Sequence, residues 1–247
     1  MRLAVLADIH GNLPAIEAVV DDIGRRAVDQ VVNLGDCASG PLWPHETLAG
    51  LMALGWPTVR GNHDRILSRD RPDQMSPPDR FAFDRTDSAE RTWLTLLPPA
   101  LDLGNGIVAF HASPGNDSAY LLEDIAGGQL VPAALDEVAE RVARVDAAVI
   151  LTGHSHRPGL IAIPNGPVVI NPGSVGRPAY RNPEPPVHVF EVGAPHARYA
   201  ILTFEDGLLA GVEQIALRYD HEAAAEQADR NGQPDWGYAL RTGFMPV

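Results

Sequence analysis

The sequence predicts a single layered α/β domain of 247 residues, on three observations. Short apolar runs alternate with helical patterns through the first third, the last third is almost entirely extended in pattern, and side chains of metal-ligand type recur where apolar runs end. Alternation of this kind builds mixed sheets with helices on their outer faces, and the strand-rich end suggests two such sheets packed face to face.

Taken in order, Leu3 to Ala7 is a continuous apolar run and reads as a buried strand. Leu13 to about Ala27 follows, with Ile16, Val19, Val20 and Ile23 at helical spacing and Asn12 and Pro14 at the start, where a cap and an early proline belong. Val31 to Leu34 is the next strand, and a helix is expected over His45 to Leu54. Residues 65–86 are rich in Arg, Asp and Pro and read as a lid or loop insertion. Asp87 with Glu90 forms a capping-box pattern ahead of Trp93, Leu94, Leu96 and Leu97. Ile107 to Phe110 is a strand, Pro132 to Val145 a helix, and Ala147 to Leu151 a strand. Val168 to Ile170, Val187 to Val192, Ala200 to Phe204 and Val212 to Leu217 are extended in pattern. Residues 221–247 read as a short helix and a Gly/Pro-rich tail.

Composition narrows the functional classes. With 32 acidic and 19 basic residues the formal charge is -13, which argues against polymeric nucleic acid or an anionic membrane as partner. All the basic residues are arginine, so P-loop and Schiff-base lysine chemistry is excluded. One cysteine, Cys37, permits no internal disulfide. No apolar run approaches the roughly 20 residues that span a bilayer, and the chain opens directly on a strand-like run, so a cytoplasmic protein is expected.

The ligand-type residues fall in five islands: Asp8 and His10 in ADIHGN, Asp36 in LGDC, Asn62 in RGNHD, His111 in AFHASP, and His154 and His156 in TGHSH. Nearly all of them follow an apolar strand, and strand carboxyl ends are where α/β sheets bind ligands. On an extended segment Asp8 and His10 would point to one face, as would His154 and His156. An aspartate between two ions can bridge them through its two oxygens, and Asp36 is the candidate. Mixed Asp, His and Asn donors suit Mn, Fe, Co, Ni or Zn better than Ca.

Together with NPGSVG at 171–176, these motifs resemble the calcineurin-like metallophosphoesterases, especially the small stand-alone bacterial members. The resemblance implies a four-layer αββα sandwich of two mixed β-sheets. It further implies two divalent transition-metal ions, one held by Asp8, His10, Asp36 and His156, the other by Asp36, Asn62, His111 and His154, with Asp36 bridging. By the same resemblance a shared water attacks phosphorus in line while His63 protonates the leaving oxygen, with Asp64 orienting its ring.

Candidate substrate contacts are Arg60 before the GNHD turn, Asn12, which reads first as a helix cap, and Arg177 after NPGSVG. In the 65–86 segment Arg65, Arg69, Arg71, Arg80 and Arg85 stand with Phe81 and Phe83, a set able to stack a base and hold distal phosphates. Asp70, Asp73, Asp79 and Asp84 neutralise most of that charge, which favours a solvated loop. The expected activity is a phosphoesterase or phosphodiesterase acting on a small phosphorylated molecule such as a nucleotide. Monoester or phosphoprotein phosphatase activity, and a non-catalytic scaffold of the same fold, are the alternatives. A scaffold would be expected to lose His63 or a ligand position, and here all are intact.

Overall fold

The computed structural model describes residues 1–69 and 71–247; Asp70, counted above against the arginines of the 65–86 segment, lies outside the described residues. The first sheet has the order β13 (Leu208–Leu217), β12 (Ala197–Glu205), β1 (Arg2–Leu6) and β2 (Gln30–Asn33). The second runs β3 (Ala100–Asp102), β4 (Ile107–Phe110), β7 (Val149–Leu151), β9 (Val168–Asn171) and β8 (Gly159–Ala162). β1 and β2 are parallel, as are β4, β7 and β9, while β12, β13, β3 and β8 pair antiparallel with their neighbours.

The two sheets face each other across a core of Leu3, Val5, Leu34 and Leu202 on one side and Ile107, Ala109, Leu151 and Ile170 on the other. Because side chains alternate along a strand, Ala4 and Leu6 face the opposite way. They meet α1 (Leu13–Gly24), α2 (Pro44–Leu54) and α5 (Ser88–Leu96) through Ile16, Val19, Leu48 and Leu94. Both faces of β1 are covered, which is why it reads as one unbroken apolar run. On the far side α6 (Leu135–Val142) covers the second sheet with Val138 and Val142 on Phe110, Ile150 and Val169. These are the four expected layers.

Four local expectations need correction. A third sheet, in the order β10 (Ala179–Asn182), β11 (His188–Glu191), β6 (Gln129–Pro132) and β5 (Glu123–Ala126), stands beside the two that were expected. Of its four-residue strands only β11 lies in a run expected to be extended; β5 (EDIA) and β10 (AYRN) mix charged or polar groups with apolar ones and show no period-2 pattern. The helix expected from Pro132 is therefore shorter, since Pro132 ends β6. Residues 65–86 are not a structureless loop: they carry the end of α3 (Asn62–Leu67), a 3₁₀ turn at Pro72–Gln74 and α4 (Pro77–Phe83). Ser76 accepts a hydrogen bond from the Asp79 amide as the cap of α4, an S-x-x-D pattern legible in the sequence. Finally, the C-terminal segment is a hairpin of two helices, α7 (His221–Arg230) and α8 (Pro234–Thr242), seated on Leu42 and Trp43.

The caps follow expectation. The Asn12 Oδ1 accepts from the Ala15 amide at 3.3 Å, and Asp87 and Glu90 exchange two 2.8 Å bonds at the start of α5. α1 is also tied to β12 by a buried polar contact: the Tyr199 hydroxyl donates to Asp22 at 2.5 Å, and Arg26 Nε donates to the same carboxylate at 2.6 Å. Burial alone would raise the Asp22 pKa, but these two donors hold it below the usual carboxylate range. The stability it contributes is therefore present above the unfolded pKa of about 3.9 and lost as pH falls through the lower folded value. Asp22→Ala is expected to cost about 1–3 kcal/mol at pH 7. In urea denaturation the difference from wild type should shrink on acidification; a pH-independent difference would count against the charge.

Among the described residues no helix is long and apolar enough to cross a membrane.

Candidate metal centre and active site

The strands deliver the islands to one rim, but not by extended geometry. Asp8, His10, Asp36, His154 and His156 have φ of 57°, 52°, 56°, 67° and 62°, all in the left-handed region. Each such residue costs about 1–2 kcal/mol, strain typical of functional sites. Sharp turns thus stand where extended geometry was expected: Asp8 and His10 still meet in one cluster, whereas His154 and His156 part into two. Neighbouring loops hold these turns: the Asp8 amide donates to the Gly35 carbonyl and the His10 amide to the Asp36 carbonyl, both at 2.9 Å.

The NPGSVG stretch braces the same loops. The Val175 and Gly176 amides donate to the Ala7 and Asp8 carbonyls at 3.0 Å, and Asn171 Nδ2 donates to the Gly153 carbonyl at 2.8 Å. A Cβ on Gly176 would collide with the Ile9 carbonyl, and one on Gly61 with the Asp36 carboxylate, so both positions require glycine.

Two clusters result, Asp8 with His10 and His156, and Asp36 with His111 and His154, the donor atoms of each within 4.8 Å of one another. Every histidine has one ring nitrogen tied to a backbone carbonyl. His10 Nδ1 donates to Ser39 at 2.8 Å, His156 Nδ1 to Arg177 at 2.9 Å, His111 Nδ1 to Leu34 at 2.8 Å, and His154 Nε2 to Ser118 at 3.1 Å. Such bonds fix the tautomer and turn the other nitrogen inward.

The consequence is sharpest at His10 and His156, whose Nε2 atoms lie 3.1 Å apart. Burial lowers the His10 pKa to about 3 and takes that of His156 well below its usual value, so both rings are neutral at pH 7. Both Nδ1 protons are engaged, so two lone pairs face each other. Beside them the Asp8 Oδ1 is buried with no hydrogen-bond partner, 3.5 Å from His156 Nε2. Two lone pairs and an orphaned carboxylate oxygen aimed at one point form a donor set that fits a cation.

The second cluster makes the same demand. Asn62 Oδ1 is 3.0 Å and Asp36 Oδ2 3.3 Å from His111 Nε2. Burial would lower the His111 pKa, but Asp36 and Asp8 raise it to about 10; burial lowers that of His154 to about 3. Burial, with repulsion from Asp36, raises the Asp8 pKa to about 8 against the pull of His111, whereas His111 and His63 hold Asp36 well below the carboxylate range despite its burial. Two buried carboxylates that cannot ionise together are what a bound dication reconciles.

Asp36 lies between the clusters, with Oδ2 3.9 Å from His10 Nε2 and 3.3 Å from His111 Nε2. Its Oδ1 instead accepts the His63 amide at 2.9 Å. One oxygen, rather than the expected two, faces both clusters.

The expected role of Asp64 is overturned. Its carboxylate accepts the amides of Asp36 at 2.8 Å, Cys37 at 2.9 Å and Gly61 at 2.9 Å, so it locks the GDC and GNHD turns together and does not touch the His63 ring. The ring is held by Asp79 on α4, whose Oδ1 lies 2.7 Å from His63 Nδ1. The Ser39 hydroxyl donates to the same oxygen at 2.7 Å and Ser76 donates to Oδ2 at 2.5 Å. Burial would lower the His63 pKa, but Asp79 and Asp36 raise it to about 9. Nε2 then carries a proton at neutral pH and has no partner among the described residues. Asp79, taken from sequence as a neutralising loop charge, is the residue that sequence reasoning missed; the S-x-x-D cap was its only signal.

Asn12 offers nothing to a substrate, because its Oδ1 caps α1 and its Nδ2 donates to the Gly176 carbonyl at 2.9 Å and the Tyr219 hydroxyl at 3.1 Å. Arg60 lines a cleft of about 690 Å³ with Arg65, Phe110, Asn116 and Asp117, beside His111. Arg65 is spent on Asp117, at 2.5 and 2.9 Å. Arg177 stands next to the first cluster. The third sheet flanks the histidines: Tyr120, just before it, stacks on His154 with centroids 5.0 Å apart, and Tyr180 of β10 meets His156 edge-on at 4.9 Å.

A buried, strand-end cluster of this composition defines a metal-dependent hydrolase class of site, and residues 1–194 match the calcineurin-like phosphoesterase superfamily domain, so the chain belongs to that family. It is 27% identical over 256 residues to the uncharacterized protein MJ0912 of Methanocaldococcus jannaschii, covering 95% of this chain and 94% of that one. Its fold is that of a metallophosphoesterase from Sphaerobacter thermophilus, with a TM-score of 0.74, 24% identity, and 97% and 98% of the two chains covered. The hypothetical protein PH1004 from Pyrococcus horikoshii aligns with a TM-score of 0.76 at 19% identity over 99% of both chains.

Proposed function

We propose that the protein hydrolyses a phosphate ester or diester of a small molecule, a nucleotide being the first class to test. The observation that carries this reading is the pair of facing histidine lone pairs beside the orphaned Asp8 oxygen. Asp8, His10, Asp36 and His156 would hold one divalent cation and Asp36, Asn62, His111 and His154 a second, supplying Lewis acidity at the phosphoryl oxygens and a nucleophile from water near neutral pH.

The chain's own part is positioning and proton delivery. His63 stands beside the first cluster, its ring centroid 5.6 Å from that of His10, and its Nε2 proton is the one available to a departing alkoxide. Asp79 keeps that proton on Nε2 by binding Nδ1–H and stabilises the imidazolium. Asp79→Asn is expected to lower kcat about ten- to a hundredfold while leaving metal content unchanged, whereas Asp64→Asn, which loosens both turns, should lower metal content too. Equal effects of the two on metal binding would contradict this division of roles.

The reading as a whole is tested with purified protein, added Mn and a panel of aryl phosphodiesters, nucleotides and phosphopeptides. Turnover of at least one ester, abolished by a chelator and restored by Mn, is expected. Metal binding without turnover of any ester would favour the scaffold.

A further inference from the structure

We infer that Trp236, on the C-terminal hairpin, is a positioning residue of the candidate active site: its indole holds the Arg177 guanidinium beside the Asp8, His10 and His156 cluster as a receptor for non-bridging phosphoryl oxygens. The inference rests on the phosphoesterase reading and extends the site into residues beyond the matched 1–194 segment.

The Arg177 backbone is built into the centre. Its carbonyl accepts His156 Nδ1–H at 2.9 Å, and its amide donates to the Ser174 hydroxyl at 2.8 Å. The guanidinium carbon lies 4.1 Å from the Trp236 ring centroid and 5.4 Å from that of Tyr180. Among the described residues the guanidinium has neither a carboxylate partner nor a hydrogen bond. Arg65, Arg141 and Arg241, by contrast, are each held by a carboxylate. Stacking engages the flat faces of a guanidinium and leaves its five N–H donors free in the plane. An arginine held over an indole face and without a polar partner, beside a phosphoryl site, therefore has N–H donors available for phosphate oxygens. Burial lowers its pKa to about 10, so it stays charged at neutral pH.

Trp236 is fixed in turn. It is 6% exposed and packs with Leu42, Ala224, Ala225 and Leu240, with its ring centroid 6.1 Å from that of His10. Gly40 makes room for it, since a Cβ there would stand 3.0 Å from the indole, and its φ of 151° suits only glycine. The C-terminal hairpin thereby reaches the site through one side chain.

The test uses the full-length, Mn-loaded protein. The dissociation constant of inorganic phosphate is measured by calorimetry, together with kcat and KM for an aryl phosphodiester, in Arg177→Ala, Trp236→Leu, Trp236→Phe and the Arg177→Ala/Trp236→Leu pair. Arg177→Ala is expected to weaken phosphate about ten- to a hundredfold, and Trp236→Leu about three- to tenfold, with KM rising in step and kcat little changed. Trp236→Phe, which keeps an aromatic face, should stay near wild type, and Trp236→Leu should add nothing once Arg177 is gone.

Equal phosphate affinities of the Leu and Phe variants, or additive losses in the pair, overturn the inference by reducing Trp236 to packing. Should Trp236→Leu not fold, indole emission decides: phosphate is expected to shift it in wild type and not in Arg177→Ala, and an emission indifferent to phosphate overturns the inference. Phosphate binding in the predicted order without turnover of any ester would sink the function and keep the clamp. Turnover with phosphate affinity indifferent to Arg177 would do the reverse.

Discussion

Asp36→Asn is expected to lower ester hydrolysis about a thousandfold or more and to cut bound metal from two equivalents to fewer than one. Its Oδ2 is the oxygen that faces both His10 and His111, so neither cluster has a substitute. An asparagine keeps an oxygen for the His63 amide but loses the charge. The fold should survive the change. In a chelator Asp36 is the anion that His111 and His63 face, so the asparagine should lower thermal stability without abolishing folding. Metal content by elemental analysis, turnover, and Tm in chelator together check the claim. Turnover within tenfold of wild type, or two metals still bound, would remove Asp36 from its place at the centre.

His63→Ala is expected to lower kcat about 10²- to 10⁴-fold, and the size of the loss should depend on the leaving group. An alkoxide needs a proton as it departs, whereas a nitrophenolate leaves largely unaided. The variant should therefore fail on an alkyl phosphodiester and retain much more of its rate on a nitrophenyl one. Metal content should remain, because His63 contributes only its amide to Asp36. Equal losses on both substrates would make His63 a binding group rather than a proton donor, and lost metal would make it a scaffold of the centre.

How much of this was legible in advance varied with the range of the interaction concerned. β1, α1, β4 and the Asp87 cap depend on neighbours one to four residues away, and their residues appear where the period and the cap chemistry put them. The segment 65–86 was misread because its Asp and Pro content outweighed a short S-x-x-D cap. Of the third sheet only β11 was expected as a strand, because others such as Glu123–Ala126 have no apolar alternation to display. The resemblance gave Asp64 the task that falls to Asp79, and on α3 the adjacent His63 and Asp64 side chains point apart.

The sequence by itself determined the family of chemistry: donor types at strand ends, which a parallel α/β arrangement gathers on one rim. Tertiary structure decided the allocation of roles within that rim. It set left-handed turns at Asp8, His10, Asp36, His154 and His156, gave Asp36 one oxygen for two clusters, bound His63 to Asp79 and brought Trp236 to Arg177. The physical reason is separation along the chain. Hydrogen bonds and stacking act over 3 to 6 Å in space, and the residues they join here lie up to dozens of positions apart, where no local period or propensity records them.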